Sequence, residues 1–225
     1  MRHMLFFVCA RLILEILLMV IRVDEGILRK SGMKGGILMD VRTLYTKIRN
    51  GSEHQVQEMQ VIMESFLKQR SRSFSELNHK EQAERLISEA NLEERQHLYS
   101  CTALGVDVRV GDICFIDFGA DAYQCEIGFQ HFGIIMKLFH GKAFVIPMSG
   151  NPSAAAQAYD EQDNPRGKRH LMRMPHIEGL NKQSTLFLND CKFINTARII
   201  DVKAHVDRGS PLFQKIHSRM RQVIG

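Results

Sequence analysis

His131–Met148 reads HFGIIMKLFHGKAFVIPM, and this stretch decides the fold class. His131–Phe139 and Lys142–Met148 are two apolar runs of strand length, rich in Ile, Val and Phe. His140-Gly141 between them is a two-residue turn, so the pair is expected to form an antiparallel hairpin. Working outward, Asp112–Phe118 (DICFIDF) alternates apolar and polar residues and stops at Gly119. Thr185–Leu188 (TLFL) and Lys192–Ile200 (KFINTARII) supply further short strands. No helical pattern separates most of these runs as parallel crossovers would require, which indicates an antiparallel barrel or small sandwich. Ser210-Pro211 opens a last helix with Leu212, Phe213, Ile216 and Met220 on one side. Ser149–Lys182 is a long polar insertion, of a length that is usually functional or disordered.

Upstream, residues 39–100 read as a helical segment. Asn50-Gly51 is a turn, Ser52 an N-cap, and Gln55 completes a capping box; Val56, Met59, Met63, Phe66 and Leu67 then form one stripe. Asn78 with Glu81 caps a second helix whose stripe is Ala83, Leu86, Ile87, Ala90 and Leu92. Both stripes are expected to be packing faces, as Met and Leu at this spacing generally are.

Residues 1–38 form an apolar leader of different character. Leu5–Val23 approaches membrane-spanning length, but Arg11 and Glu15 would stand near the bilayer centre at a cost of several kcal/mol each. The run is also too long for a signal peptide and lacks a small-residue cleavage site. Lys34-Gly35-Gly36 can be encoded as a purine run resembling a ribosome-binding site, just ahead of Met39. The leading expectation is translation from Met39. The alternatives are a membrane-surface anchor and a buried helix.

Composition narrows the function classes. With 44% hydrophobic and 24% charged residues the 225-residue chain is neither fibrous nor disordered in type. Lys+Arg of 30 against Asp+Glu of 25 gives +5, compatible with a polyanionic partner without demanding one. Its five Cys are scattered with no C-x-x-C pair, which excludes a zinc ribbon and points to reduced thiols in a cytoplasmic protein. Nucleotide-binding glycine loops, HExxH and GxSxG are all absent from the sequence. No cofactor and no metal is expected.

Three features converge on the same strand ends. His131 opens the second strand, Ser149 closes the third in PMSGNP, and the insertion carries Arg166, Lys168, Arg169 and His170 with no acidic residue from Asn164 through His176. A hairpin places His131 and Ser149 together at its open end. A base for the ribose 2′-OH, a hydroxyl for the scissile phosphate and cations for the charge growing on it are what metal-free RNA cleavage requires. Gln130 and Asn151 flank the pair and join Arg166, Lys168, Arg169 and His170 as phosphate-positioning candidates.

With these residues in view, Arg109–Val206 resembles the PemK/MazF family of toxin endoribonucleases. VRVGDICFIDFG is similar to the family's first strand, EIGFQHFGIIM stands where E-Q-G-G-x-R-P leads into an apolar strand, and KAFVIPMSGNP resembles the strand ending in Thr or Ser. LFLNDCKFINTARI resembles the late strand before a short helical stretch. The resemblance implies an SH3-like antiparallel barrel, single-stranded RNA as substrate, and a partner antitoxin, protein or RNA, with a homodimer as a further expectation. Ser149 falls on the family's catalytic Thr/Ser position. His131 falls on its Arg, and Phe132 on the following Pro. A His can exchange a proton but lacks the fixed charge and fork of Arg.

The expectation is therefore an α+β protein: a small SH3-like barrel over 101–225 with a C-terminal helix, preceded by the 39–100 helical segment. His131 and Ser149 are the catalytic candidates of a metal-independent endoribonuclease toxin. The alternative is a non-catalytic barrel binding nucleic acid or a protein partner.

Overall fold

The computed structural model describes residues 55–225 together with 45, 46 and 49. The readings made on residues 1–38 and on the Asn50–Ser52 turn and cap lie outside the described residues. The chain divides between Glu76 and Leu77 into two compact units. In the first, α1 spans Gln55–Ser75. Met59, Met63, Phe66 and Leu67 share a face as their spacing requires, but that face is exposed rather than buried. Spacing fixes which side chains stand together and does not supply the surface that covers them.

The second unit begins with α2, His79–Arg95. Its capping box is present as expected, with the Glu81 amide donating to Asn78 Oδ1 (3.1 Å) and the Asn78 amide to a Glu81 carboxylate oxygen (3.0 Å). The expected packing stripe is overturned. Leu86 (56%) and Ile87 (50%) are exposed, as is Leu92, and Ser88 is the buried residue. The helix docks through Ser88, Asn91 and Arg95, which the 3.6-residue period puts on one side. The cause lies in what it meets: a buried carboxylate on Asp117 and backbone carbonyls of Ala197 and Ile199, which leave water only if donors replace it.

Seven antiparallel strands follow: β1 Asp112–Asp117, β2 Gln130–Phe139, β3 Lys142–Ser149, β4 Leu171–Arg173, β5 Thr185–Phe187, β6 Lys192–Asn195 and β7 Ile199–His205. They run in the order β4-β5-β3-β2-β1-β7, with β6 also on β3. The path is open, with β4 at one end and β7 at the other. The expected hairpin is β2–β3, turning at Gly141 with φ of 77°. On its other edge β3 pairs first with β6 through 142–145 and then with β5 through 148–149. Pro147, with no N–H to donate, stands in the gap between the two.

Both faces of the sheet are covered. Ile113, Ile134, Ile146 and Met148 pack on one side with Met172, Met174, Leu186 and helix α4, Pro211–Ile224. Phe213, Ile216 and Met220 of α4 are buried there, and the Ser210 hydroxyl caps it by accepting from the Phe213 amide (3.2 Å). Cys114, Ile116, Ile135, Val145 and Ile199 form the second cluster. The polar insertion is built in rather than loose. It forms α3, Pro152–Gln157, then a loop closed by Tyr159 and Lys168, then β4. Among the described residues no helix is long and apolar enough to cross a membrane.

Candidate active site

The β2–β3 register sets the site. Phe132 lies opposite Met148 at the end of the ladder, so His131 and Ser149 are the next residues outward on adjacent strands. Ser149 in turn pairs with Thr185 of β5, and Thr185 with Arg173 of β4. One row therefore crosses four strands as His131, Ser149, Thr185 and Arg173.

The chemistry of His131 follows from one contact. Its Nδ1 is 2.9 Å from the Gly128 carbonyl oxygen, which can only accept, so Nδ1 carries the proton in the neutral ring. Nε2 is then the basic nitrogen. The ring is half-buried, on a strand whose approach is strained: Phe129 and Cys125 hold φ of 54° and 73° without being glycine. Such backbone costs about 1–3 kcal/mol per residue and persists where surroundings impose it. Here the surroundings are the Phe118–Phe129 and Phe129–Gly119 backbone hydrogen bonds and a clip in which Asp190 accepts from the Ile127 amide (2.6 Å) while pairing with Lys192 (3.0 Å).

Ser149 Oγ accepts from the Asn151 amide (3.2 Å), which leaves its own proton free to donate. Asn151 caps α3 by accepting from the Ser153 amide (2.9 Å). Two residues that the sequence did not single out stand beside Ser149, Thr185 in the row and Lys182 next to it. The Thr185 hydroxyl is buried and has no hydrogen-bond partner among the described residues. A Cβ placed on Gly150 would meet Lys182 Cβ at 3.3 Å and Cδ at 3.4 Å, so the Lys182 stem lies over the residue that follows Ser149. Lys182 stands three residues before the start of the TLFL run at Thr185, but only the β3–β5 register tells that this run borders Ser149.

Other candidates are placed elsewhere. The Gln130 carboxamide donates to Ser88 Oγ (2.8 Å), Asp117 Oδ1 (3.1 Å) and the Glu84 carbonyl (3.2 Å), so it is engaged in the α2 contact. Arg166, Lys168 and Arg169 are exposed on the loop that precedes β4, beyond β5 from Ser149, and His170 there is half-buried. Arg173 is neutralised by Asp163 (2.6 Å) and also donates to the Ala155 carbonyl. Among the described residues no group of three or more His, Cys, Asp or Glu side chains is gathered as a metal set would be.

The thiols divide by burial. Burial, with Asp112 adding to it, pushes Cys114 up to about 12, and burial with Asp190 pushes Cys191 up to about 11. Both stay protonated and unreactive at neutral pH. Cys125 is exposed. Among the described cysteines Cys125 should consume a thiol reagent first, and Cys125→Ser should abolish that fast phase. Rapid labelling of Cys114 in the folded protein would show that the sheet opens more readily than its burial implies.

No protein-family profile matches this chain, and no curated protein sequence does. Solved structures do resemble its fold in part. An endoribonuclease in complex with its cognate antitoxin from Mycobacterial species is 11% identical with a TM-score of 0.37, over 53% of this chain and 96% of that one. MazF from Deinococcus radiodurans gives 11% and 0.37 over 53% and 94%. The Mycobacterium tuberculosis toxin MazF-mt6 gives 11% and 0.33 over 51% and 92%.

Proposed function

We propose that this protein is a metal-independent endoribonuclease toxin of the PemK/MazF kind, its open sheet read as an SH3-like barrel. It would cleave single-stranded RNA in the cytoplasm and be restrained by an antitoxin. The observation that carries the reading is the register that sets His131, with Nε2 as its basic nitrogen, beside Ser149. In the proposed step Nε2 takes the ribose 2′-OH proton, the 2′-oxygen attacks phosphorus, and the P–O5′ bond breaks. The leaving 5′-oxygen takes a proton from solvent or from the imidazolium, giving a 2′,3′-cyclic phosphate and a 5′-hydroxyl. Ser149 Oγ donates to a non-bridging oxygen, and the Lys182 ammonium balances charge there. Asn151, the loop cations Arg166, Lys168 and Arg169, and His170 would hold flanking phosphates.

The test is incubation of purified protein with a long RNA in excess EDTA, with mapping of the cut ends. Cyclic phosphate ends in EDTA support the reading. A protein that binds RNA across a sequence panel and never cuts it would put the non-catalytic binding module in its place.

A further inference from the structure

Two stretches without a single acidic residue, 164–176 and 208–225, are far apart in sequence and meet at one side chain. Arg169, from the loop before β4, places its guanidinium carbon 5.1 Å from the Tyr159 ring centre. Arg219, from α4, places its own 5.2 Å from the same ring. Arg219 Nη2 also donates to the Arg169 carbonyl (2.8 Å), which locks the helix to the loop. Among the described residues neither guanidinium pairs with a carboxylate. Lys215 stands one turn before Arg219 on α4 and is exposed, as are Lys168 and Arg166 on the loop.

Two like charges on one aromatic ring are a poor structural staple. Each gains a cation–π contact of about 0.5–1 kcal/mol, but the pair repels and no carboxylate among the described residues pairs with either. A single Leu against the ring would fasten the helix as well. The arrangement does suit a ligand that brings regularly spaced negative charge, since guanidinium forks match phosphate and stacked ones are held ready for it. His131 does not take part, because β3, β5 and β4 lie between it and this loop, about 5 Å per strand.

We propose that Arg169, Tyr159 and Arg219, with Lys215 and Lys168, form a second nucleic-acid contact: a phosphate-binding track outside the cleavage site that holds the strand flanking the cut. This rests on the endoribonuclease reading for the identity of the strand. The track makes affinity depend on RNA length, since only longer strands reach from Ser149 across β5 to α4.

The experiment measures binding of a fluorescent 20-nucleotide 2′-O-methyl oligouridylate, which cannot be cleaved, by anisotropy between 50 and 300 mM salt. Arg219→Gln should weaken binding about tenfold and reduce the salt slope by about 0.7, the value for one lost single-strand phosphate contact. Arg219→Lys should restore the slope, and Arg169→Gln added to Arg219→Gln should lower it by about the same amount again. Thermal melts establish that each variant is folded at the assay temperature. A variant that melts lower yet binds with an unchanged slope would show a structural staple only and overturn the track. Competition of polyglutamate, with RNA affinity unaffected by Arg219→Gln, would assign the patch to an acidic protein and also overturn it. Wild-type protein that fails to bind the oligomer at any salt would instead overturn the endoribonuclease reading, and the track with it.

Discussion

Replacing His131 with Ala is expected to slow RNA cleavage about 10²–10⁴-fold in the chemical step, the usual worth of a positioned proton-transfer group. Binding should change little, because the ring makes a single hydrogen bond, to the Gly128 carbonyl, and is only half-buried. His131→Arg separates two roles for the ring. A guanidinium does not give up its proton, so it cannot replace a base, but it can replace a charge. If His131 is the base, Arg is as slow as Ala; rescue by Arg would mean that the position supplies charge and that the base lies elsewhere. Ser149→Ala should cost less, about tenfold, for one hydrogen bond to the phosphate. Single-turnover rates in EDTA measure all three. Undiminished cleavage by His131→Ala would remove the residue from the mechanism.

The part of the fold that could be read from sequence is the part in which local pattern and tertiary need agree. The Gly141 turn, the Asn78–Glu81 box and the Ser210 cap rest on contacts within a few residues, and the β2–β3 hairpin pairs strands adjacent in sequence; each stands where the pattern puts it. β4 was hidden because its three residues, Leu171–Arg173, have no period of their own and are strand only through β5. β7 extends through His205 beyond the expected end at Ile200, and Asp201, Lys203 and His205 alternate there with Val202 and Ala204. That alternation is present in the sequence, but it is the pairing with β1 that makes it strand. α2 shows the deeper limit. Its apolar spacing names one face, yet its dock is polar, because what it meets is a carboxylate and free carbonyls. Within the candidate site, His131 and Ser149 follow from hairpin geometry, whereas Lys182 and Thr185 needed the pairing of β3 with β5, for which no local signal exists.

Removing the Asp117 carboxylate should be among the most destabilising single changes in the described part of the protein. Asp117 is 1% exposed and accepts from four donors: Ser88 Oγ (2.6 Å), Asn91 Nδ2 (3.0 Å), Gln130 Nε2 (3.1 Å) and the Gly119 amide (3.1 Å). In Asp117→Ala the Ser88 hydroxyl, the Asn91 carboxamide and the Gly119 amide lose this acceptor, while Gln130 keeps Ser88 Oγ and the Glu84 carbonyl; each buried orphan costs about 1–3 kcal/mol before relaxation. Partial entry of water lowers the sum, so a loss of about 3–5 kcal/mol is expected, lowering Tm by about 10 °C for a domain of this size. Ser88→Ala removes one donor and should cost about 1–2 kcal/mol. The two losses should fall short of additive when combined, since they share one network. Hydrogen exchange should place the damage: α2 amides lose protection first, because only Arg95 with its two carbonyls and Gln130 with Ser88 and the Glu84 carbonyl remain as polar tethers. The consequence reaches the site through Gln130, which this carboxylate holds and which immediately precedes His131. Asp117→Ala should therefore also lower the cleavage rate, by less than His131→Ala does, at temperatures where the protein is still folded. A variant melting within 2 °C of wild type would show that α2 is held by something other than this network. One that melted lower but cut RNA at the full rate would uncouple Gln130 from the placement of His131.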